Sequence, residues 1–154
     1  MIRPLLAATL LSSLWAGSVE ASELRGPARF CGYSPIIDLL EGERVVVLKG
    51  GIHAGSFRWE GAFGSLKVAG IGWASRPAGK MLRRPTSRGH ALFEQSFRDG
   101  GFSVAIWNRR QGAAYFSSSA PITRDQLAAI DRVDLFQEGE EPGDCRLRTI
   151  FSWD

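Results

Sequence analysis

The sequence predicts an α+β domain built mainly on an antiparallel β meander of about six or seven strands, with one or two short helices. The sheet is expected to be small, or curved into a half-barrel or barrel. Three observations predict this class. Short runs rich in Val, Ile, Phe and Trp recur between turns containing Gly, Asp or Asn. One segment, after Thr123, carries a full set of helix-start signals. The C-terminal residues alternate apolar and polar with a period of two.

Taken in order, the first element is a short helix from Ser34. Pro35 would occupy its first position, and Ile36, Leu39 and Leu40 would share a face. The rival reading is a strand that turns at Glu41-Gly42. Arg44 to Lys49 is strongly β-prone, and Gly50-Gly51 can take the positive φ of a tight hairpin. Ile52 to Glu60 is the next strand, with His53, Gly55, Phe57 and Trp59 on one face. Gly61-Ala62-Phe63-Gly64 reads as a turn. Ser65 to Trp73 follows, and Gly70 and Gly72 share the face of Leu66 and Val68, which suggests a bend or a close approach by another group.

Ala74 to Gly89 contains Pro77, Gly79, Pro85 and Gly89 without a period, and reads as a long loop. Loops of this length are uncommon in compact domains unless they have a function or are disordered. His90 to Arg98 and Phe102 to Asn108 are strands joined at Asp99-Gly100, a strong hairpin signal. Phe102, Val104 and Ile106 on one side and Ala105 and Trp107 on the other make both faces of the second one apolar. Arg109 to Gly112 turns the chain into Ala113 to Ser118. The helix then starts at Thr123, where Gln126 completes a capping box and Ile122 and Leu127 hold the staple positions. Cys145, Leu147, Thr149, Phe151 and Trp153 form one face of a last, half-buried strand.

Residues 1–21 read as a signal peptide: the amino group of Met1 and the Arg3 side chain supply a positive start, Leu5 to Ala16 is apolar, and Val19 and Ala21 are small residues at the positions a signal peptidase reads. The apolar run falls short of the ~20 residues needed to cross a bilayer. Residues 22–154 are then one exported, disulfide-linked domain, periplasmic or secreted, with no transmembrane segment. The only two cysteines, Cys31 and Cys145, would pair in that oxidising compartment. The basic residues are sixteen Arg and three Lys, a bias that points first to the base composition of a bacterial gene.

The net charge of +3 hides an asymmetry. Gly61 to Phe93 has no acidic residue, while Lys67, Arg76, Lys80, Arg83, Arg84 and Arg88 are basic. Asp134 to Asp144 is the most acidic stretch and lacks the ligand pattern of a calcium loop. Guanidinium groups pair bidentately with phosphate and carboxylate. Arg76, Lys80, Arg83, Arg84 and Arg88, with Trp73 beside them, are therefore the candidate binding residues. The competing expectation is a solvated loop neutralised by Glu138, Glu140 or Glu141.

No catalytic motif emerges. Gly79-Lys80 lacks the first glycine and the Ser or Thr of a phosphate loop. Gly101-Phe102-Ser103-Val104-Ala105 resembles a nucleophile elbow faintly, but Ser103 falls inside a strand. His53 and His90, with Glu60 or Asp99, do not have the spacing of a zinc site. No cofactor, metal or catalytic residue is assigned. Of the aromatic residues Trp59, Trp73, Trp107, Trp153, Tyr33 and Tyr115, most are expected in the core, and Trp73 on the surface. The expected function is a non-catalytic binding module. It would contact a protein or an anionic envelope component, a lipid headgroup or an acidic polysaccharide, through the basic loop. Nucleic acid fits the charge but not the compartment. The alternatives are a small β-barrel carrier of an apolar ligand and, behind it, a hydrolase.

Overall fold

The computed structural model describes residues 22–96, 102–137 and 142–148. In chain order the elements are β1 (Glu23–Arg25), β2 (Ala28–Cys31), β3 (Pro35–Leu39), β4 (Arg44–Gly50), β5 (Ala54–Gly61), β6 (Gly64–Ile71), β7 (Lys80–Met81), β8 (Ala91–Ser96), β9 (Phe102–Trp107), β10 (Ala113–Ser118), α1 (Arg124–Asp131), β11 (Asp134–Leu135) and β12 (Cys145–Arg148). The signal segment, the Asp99-Gly100 turn, Glu138 to Glu141 and the residues after Arg148 lie outside the described residues.

The fold is mostly antiparallel sheet with one short helix, and the sheet is large, not small. Eight strands form an open sheet in the order β1-β4-β5-β6-β10-β9-β8-β7, which ends on β1 and β7 instead of closing into a barrel. A second sheet has the order β11-β3-β2-β12, in which only the β12–β2 pairing is parallel. The β5–β6 hairpin follows its sequence signal, with Glu60 opposite Ser65 across the Gly61–Gly64 turn. The β4–β5 connection does not: neither Gly50 nor Gly51 takes a positive φ, and Gly50 is the last residue of β4, paired with Gly55.

The core lies between the two sheets. Val45, Phe57, Trp59, Leu66, Val68 and Phe116 face it from the large sheet, Phe30, Ile37 and Leu39 from the small one, and Ala129 and Ile130 from α1. Phe30 meets Phe57 edge-on, with ring centroids 4.8 Å apart. Glu43 is buried beneath this layer at 7% exposure. Its carboxylate accepts from Trp59 Nε1 (3.3 Å) and from the Leu40 amide (3.1 Å), and pairs with Arg132 at the end of α1.

Two local expectations resolve differently. The segment after Ser34 is a strand, the rival reading, and not a helix. Pro35, Ile37 and Leu39 point inward while Asp38 points out, so the period is two. Pairing with β2 on one side and β11 on the other supplies the long-range hydrogen bonds that decide it. At Gly70 the expected close approach is present. A Cβ there would stand 2.5 Å from Pro35 Cδ, so only glycine lets the start of β3 lie against β6.

The capping box on α1 is formed in full. Thr123 Oγ1 accepts from the Gln126 amide (3.2 Å), and Gln126 Oε1 accepts from the Thr123 amide (3.0 Å). Gln126 Nε2 also donates to the Ser65 carbonyl (3.3 Å), tying the helix to the sheet. Thr123→Ala is expected to cost about 0.5–2 kcal/mol through the lost cap. Chemical denaturation measures it, and an unchanged midpoint would refute the assignment.

Cys31 and Cys145 form a disulfide with Cα atoms 5.7 Å apart. It staples β12 to β2 at the edge of the small sheet. No helix among the described residues is long and apolar enough to cross a membrane.

Candidate functional site

The basic loop exists because of the sheet order. β6 pairs with β10, not with the next strand in sequence, so the chain leaving Ile71 must pass β10, β9 and β8 to reach the far edge. Its first part crosses the outer face of those strands. Ala74 and Pro77 are buried there, and the Arg76 guanidinium lies 5.6 Å from the ring centroid of Phe93. Beneath it Ala91, Phe93 and Ala105 form a second small core with Trp107 and Tyr115. Burial pushes the Tyr115 phenol above its ordinary pKa.

Further on, Lys80 and Met81 pair with Glu94 and Phe93 as the edge strand β7. The Leu82 amide continues that ladder by donating to the Leu92 carbonyl (2.8 Å). A tight turn closes the loop: the Thr86 amide donates to the His90 carbonyl (2.9 Å), and the Gly89 amide to the Thr86 carbonyl (2.8 Å). Ser87 clips this turn to the end of α1, its amide donating to Asp131 Oδ1 (3.0 Å) and its hydroxyl to the Asp131 carbonyl (2.6 Å). His90 completes the anchor, with Nε2 2.7 Å from Asp134 Oδ1.

Arg83 and Arg84 therefore project between two anchored points. Both are exposed, as are Arg76, Lys80 and Arg88. No carboxylate pairs with Arg83 or Arg84 among the described residues. Arg88 lies toward the small sheet, where its charge acts on Asp38. The Asp38 carboxyl is held below its usual range first by the hydrogen bond from Arg29, with Arg88 and Arg132 adding positive charge. That support is complete above the ordinary carboxylate pKa and is lost as the pH falls through the lowered one.

The candidate residues thus do not converge on one pocket. They run as a ribbon from the outer sheet face, past the β7 edge, to the end of α1. Trp73 stands apart, exposed at the end of β6, where its indole meets the His53 ring at 4.9 Å. His90 is 6% exposed and spends Nε2 on Asp134, and Ser103 is buried inside β9. No group of three or more His, Cys, Asp or Glu suited to a metal occurs among the described residues. Trp59, Phe30, Phe57 and Phe116 are fully buried between the sheets.

Two charged residues near Trp73 escaped the sequence reading. Arg109 and Arg110 form the β9–β10 turn, which folds around Asn108. Its Oδ1 accepts from the amides of Arg110 (2.9 Å) and Gly112 (3.0 Å), and Arg109 adopts a left-handed φ of 63°. In the sequence both read only as turn residues. The signal that joins them to Trp73 is a backbone bond of 2.6 Å from the Ala74 amide to the Gln111 carbonyl, which has no trace in the sequence.

No protein-family model matches the chain, and neither a curated protein nor a solved structure matches it.

Proposed function

We propose that the chain is an exported, periplasmic or secreted, non-catalytic binding module. Its loop from Arg76 to Arg88 engages a protein or an anionic envelope component. The observation that carries this reading is the Arg83-Arg84 pair, exposed and without a carboxylate partner among the described residues, on a loop anchored on both sides. A pre-anchored loop loses little conformational entropy on binding, which favours recognition by guanidinium groups. Export is supported by the leader-like segment 1–21 and by the Cys31–Cys145 bridge.

Arg83→Ala/Arg84→Ala tests it. Binding to an acidic polysaccharide, or to vesicles containing phosphatidylglycerol, is expected to fall about tenfold or more, and to weaken with added salt, because exposed charges are screened over about 8–10 Å. The melting temperature should stay where it is, since neither side chain supports the core. Undiminished binding by the double variant, or loss of stability in its place, would sink the loop as the binding surface.

A further inference from the structure

The end of the large sheet nearest Trp73 carries an apolar tip inside a cationic rim. Ile52 is 65% exposed and Trp73 59% exposed. They are neighbours: the Gly72 amide donates to the His53 carbonyl (3.0 Å), and the His53 and Trp73 rings are in contact. Leu48, which the register shift in β4 leaves without a partner on β5, adds a third apolar side chain at 47% exposure. Isolated exposed apolar residues need no explanation, but a Trp and an Ile side by side at a sheet end do.

The rim is basic throughout. Lys49 flanks the β4–β5 turn, Arg76 follows Trp73, and Arg109 and Arg110 sit on the turn bonded to Ala74. Of the segments at this end, residues 44–59, 61–93 and 102–124 contain no Asp or Glu; the segment after β11 also reaches it, through Asn108 Nδ2, which donates to the Phe136 carbonyl (3.3 Å). Asp134 on neighbouring β11 is already engaged by His90. No ion pair involves Arg109 or Arg110 among the described residues.

We infer that this end of the sheet is an interfacial anchor for an anionic lipid bilayer, with Ile52 and Trp73 entering the headgroup region and Arg76, Arg109 and Arg110 lying on lipid phosphates. Tryptophan settles at the membrane–water boundary because its ring is apolar and its N–H is polar. Peripheral binding combines buried apolar area with attraction to anionic headgroups, and both halves are present here. A polysaccharide partner would use the cations but has no need of an exposed Ile52. The inference rests on the proposed anionic-surface reading for its compartment and ligand charge, and adds the ligand class and a second set of residues.

The test uses the protein as recovered from the exporting cell, with its mass measured so that a retained leader does not itself bind lipid. Vesicles of phosphatidylcholine, with and without phosphatidylglycerol, are the probes. The native protein should partition to the anionic vesicles, and brominated lipid should quench a component of its fluorescence that is missing in Trp73→Phe. Ile52→Ser/Trp73→Ala should reduce partitioning about tenfold or more. Arg109→Ala/Arg110→Ala should reduce it about thirtyfold on anionic vesicles and not on neutral ones. Binding that survives Ile52→Ser/Trp73→Ala but is lost in Arg83→Ala/Arg84→Ala would overturn the anchor while leaving the basic loop in place. The reverse pattern would uphold the anchor and remove the loop. Binding to an acidic polysaccharide with no vesicle binding would overturn the anchor. Bromine quenching in the native protein keeps the test decisive if a variant does not fold.

Discussion

Replacing both Cys31 and Cys145 by alanine is expected to lower stability by about 3–4 kcal/mol and the melting temperature by roughly 10 °C or more. The bridge spans a sequence separation of 114, so its removal frees nearly the whole domain in the unfolded ensemble. The chain-entropy estimate for such a loop is about 4–5 kcal/mol, an upper figure because residual structure in the unfolded chain reduces it. The first segment to loosen should be β12, whose pairing with β2 rests on Cys145, Leu147 and Arg148. The rest should remain folded, since the core of Trp59, Phe57, Phe30 and Phe116 does not include the sulfurs. Thermal melts of the variant and of the reduced native protein should agree, with amide exchange fastest in residues 145–148. A melting temperature within about 2 °C of the native value would show that the bridge does not constrain the unfolded state.

The second large effect concerns Arg132. Its guanidinium pairs with the buried carboxylate of Glu43, lies 5.6 Å from the Trp59 ring centroid, and donates to the Asp38 carbonyl (3.3 Å). Arg132→Met keeps the stem and removes the charge. Glu43 would then hold a charge inside the protein with only the Trp59 indole and the Leu40 amide to offset it. Breaking a buried pair from one side typically costs about 3–5 kcal/mol, but Arg132 is partly exposed, so about 2–3 kcal/mol is expected. Glu43→Gln alone should cost less, and the double variant should recover part of the Arg132→Met loss. Strict additivity of the two in denaturant melts would mean that they do not act as a pair.

These effects differ in how far the sequence foretells them. The bridge follows from two cysteines in a chain that reads as exported. The Glu43–Arg132 pair joins residues 89 apart, and nothing local marks either of them. The same divide runs through the candidate site. Arg83 and Arg84 stand out because a charge run without acids is visible in one dimension. The bonds that hold their loop, Ser87 to Asp131 and His90 to Asp134, each cross 44 residues.

Features whose physics is local are legible in one dimension. The Gly61–Gly64 turn lies between matching strands, Thr123 and Gln126 cap each other within one helical turn, and the glycine at position 70 marks a close approach. Features that depend on a distant partner become visible once the chain is folded. Ser34 to Leu40 carries a proline and a spacing that suit a helix, yet it is a strand, because β2 and β11 complete its hydrogen bonds on both sides. The short strands β1, β7 and β11 have too few residues to show a period and exist only as pairings. The number of strands in the sheet, and the placing of β6 beside β10, were likewise settled by which edges found one another. That choice sent the basic loop across the outer face and brought Trp73 beside Arg109 and Arg110. Local signals report the conformation a residue prefers; the sheet is set by hydrogen bonds and buried area shared between segments far apart in the chain.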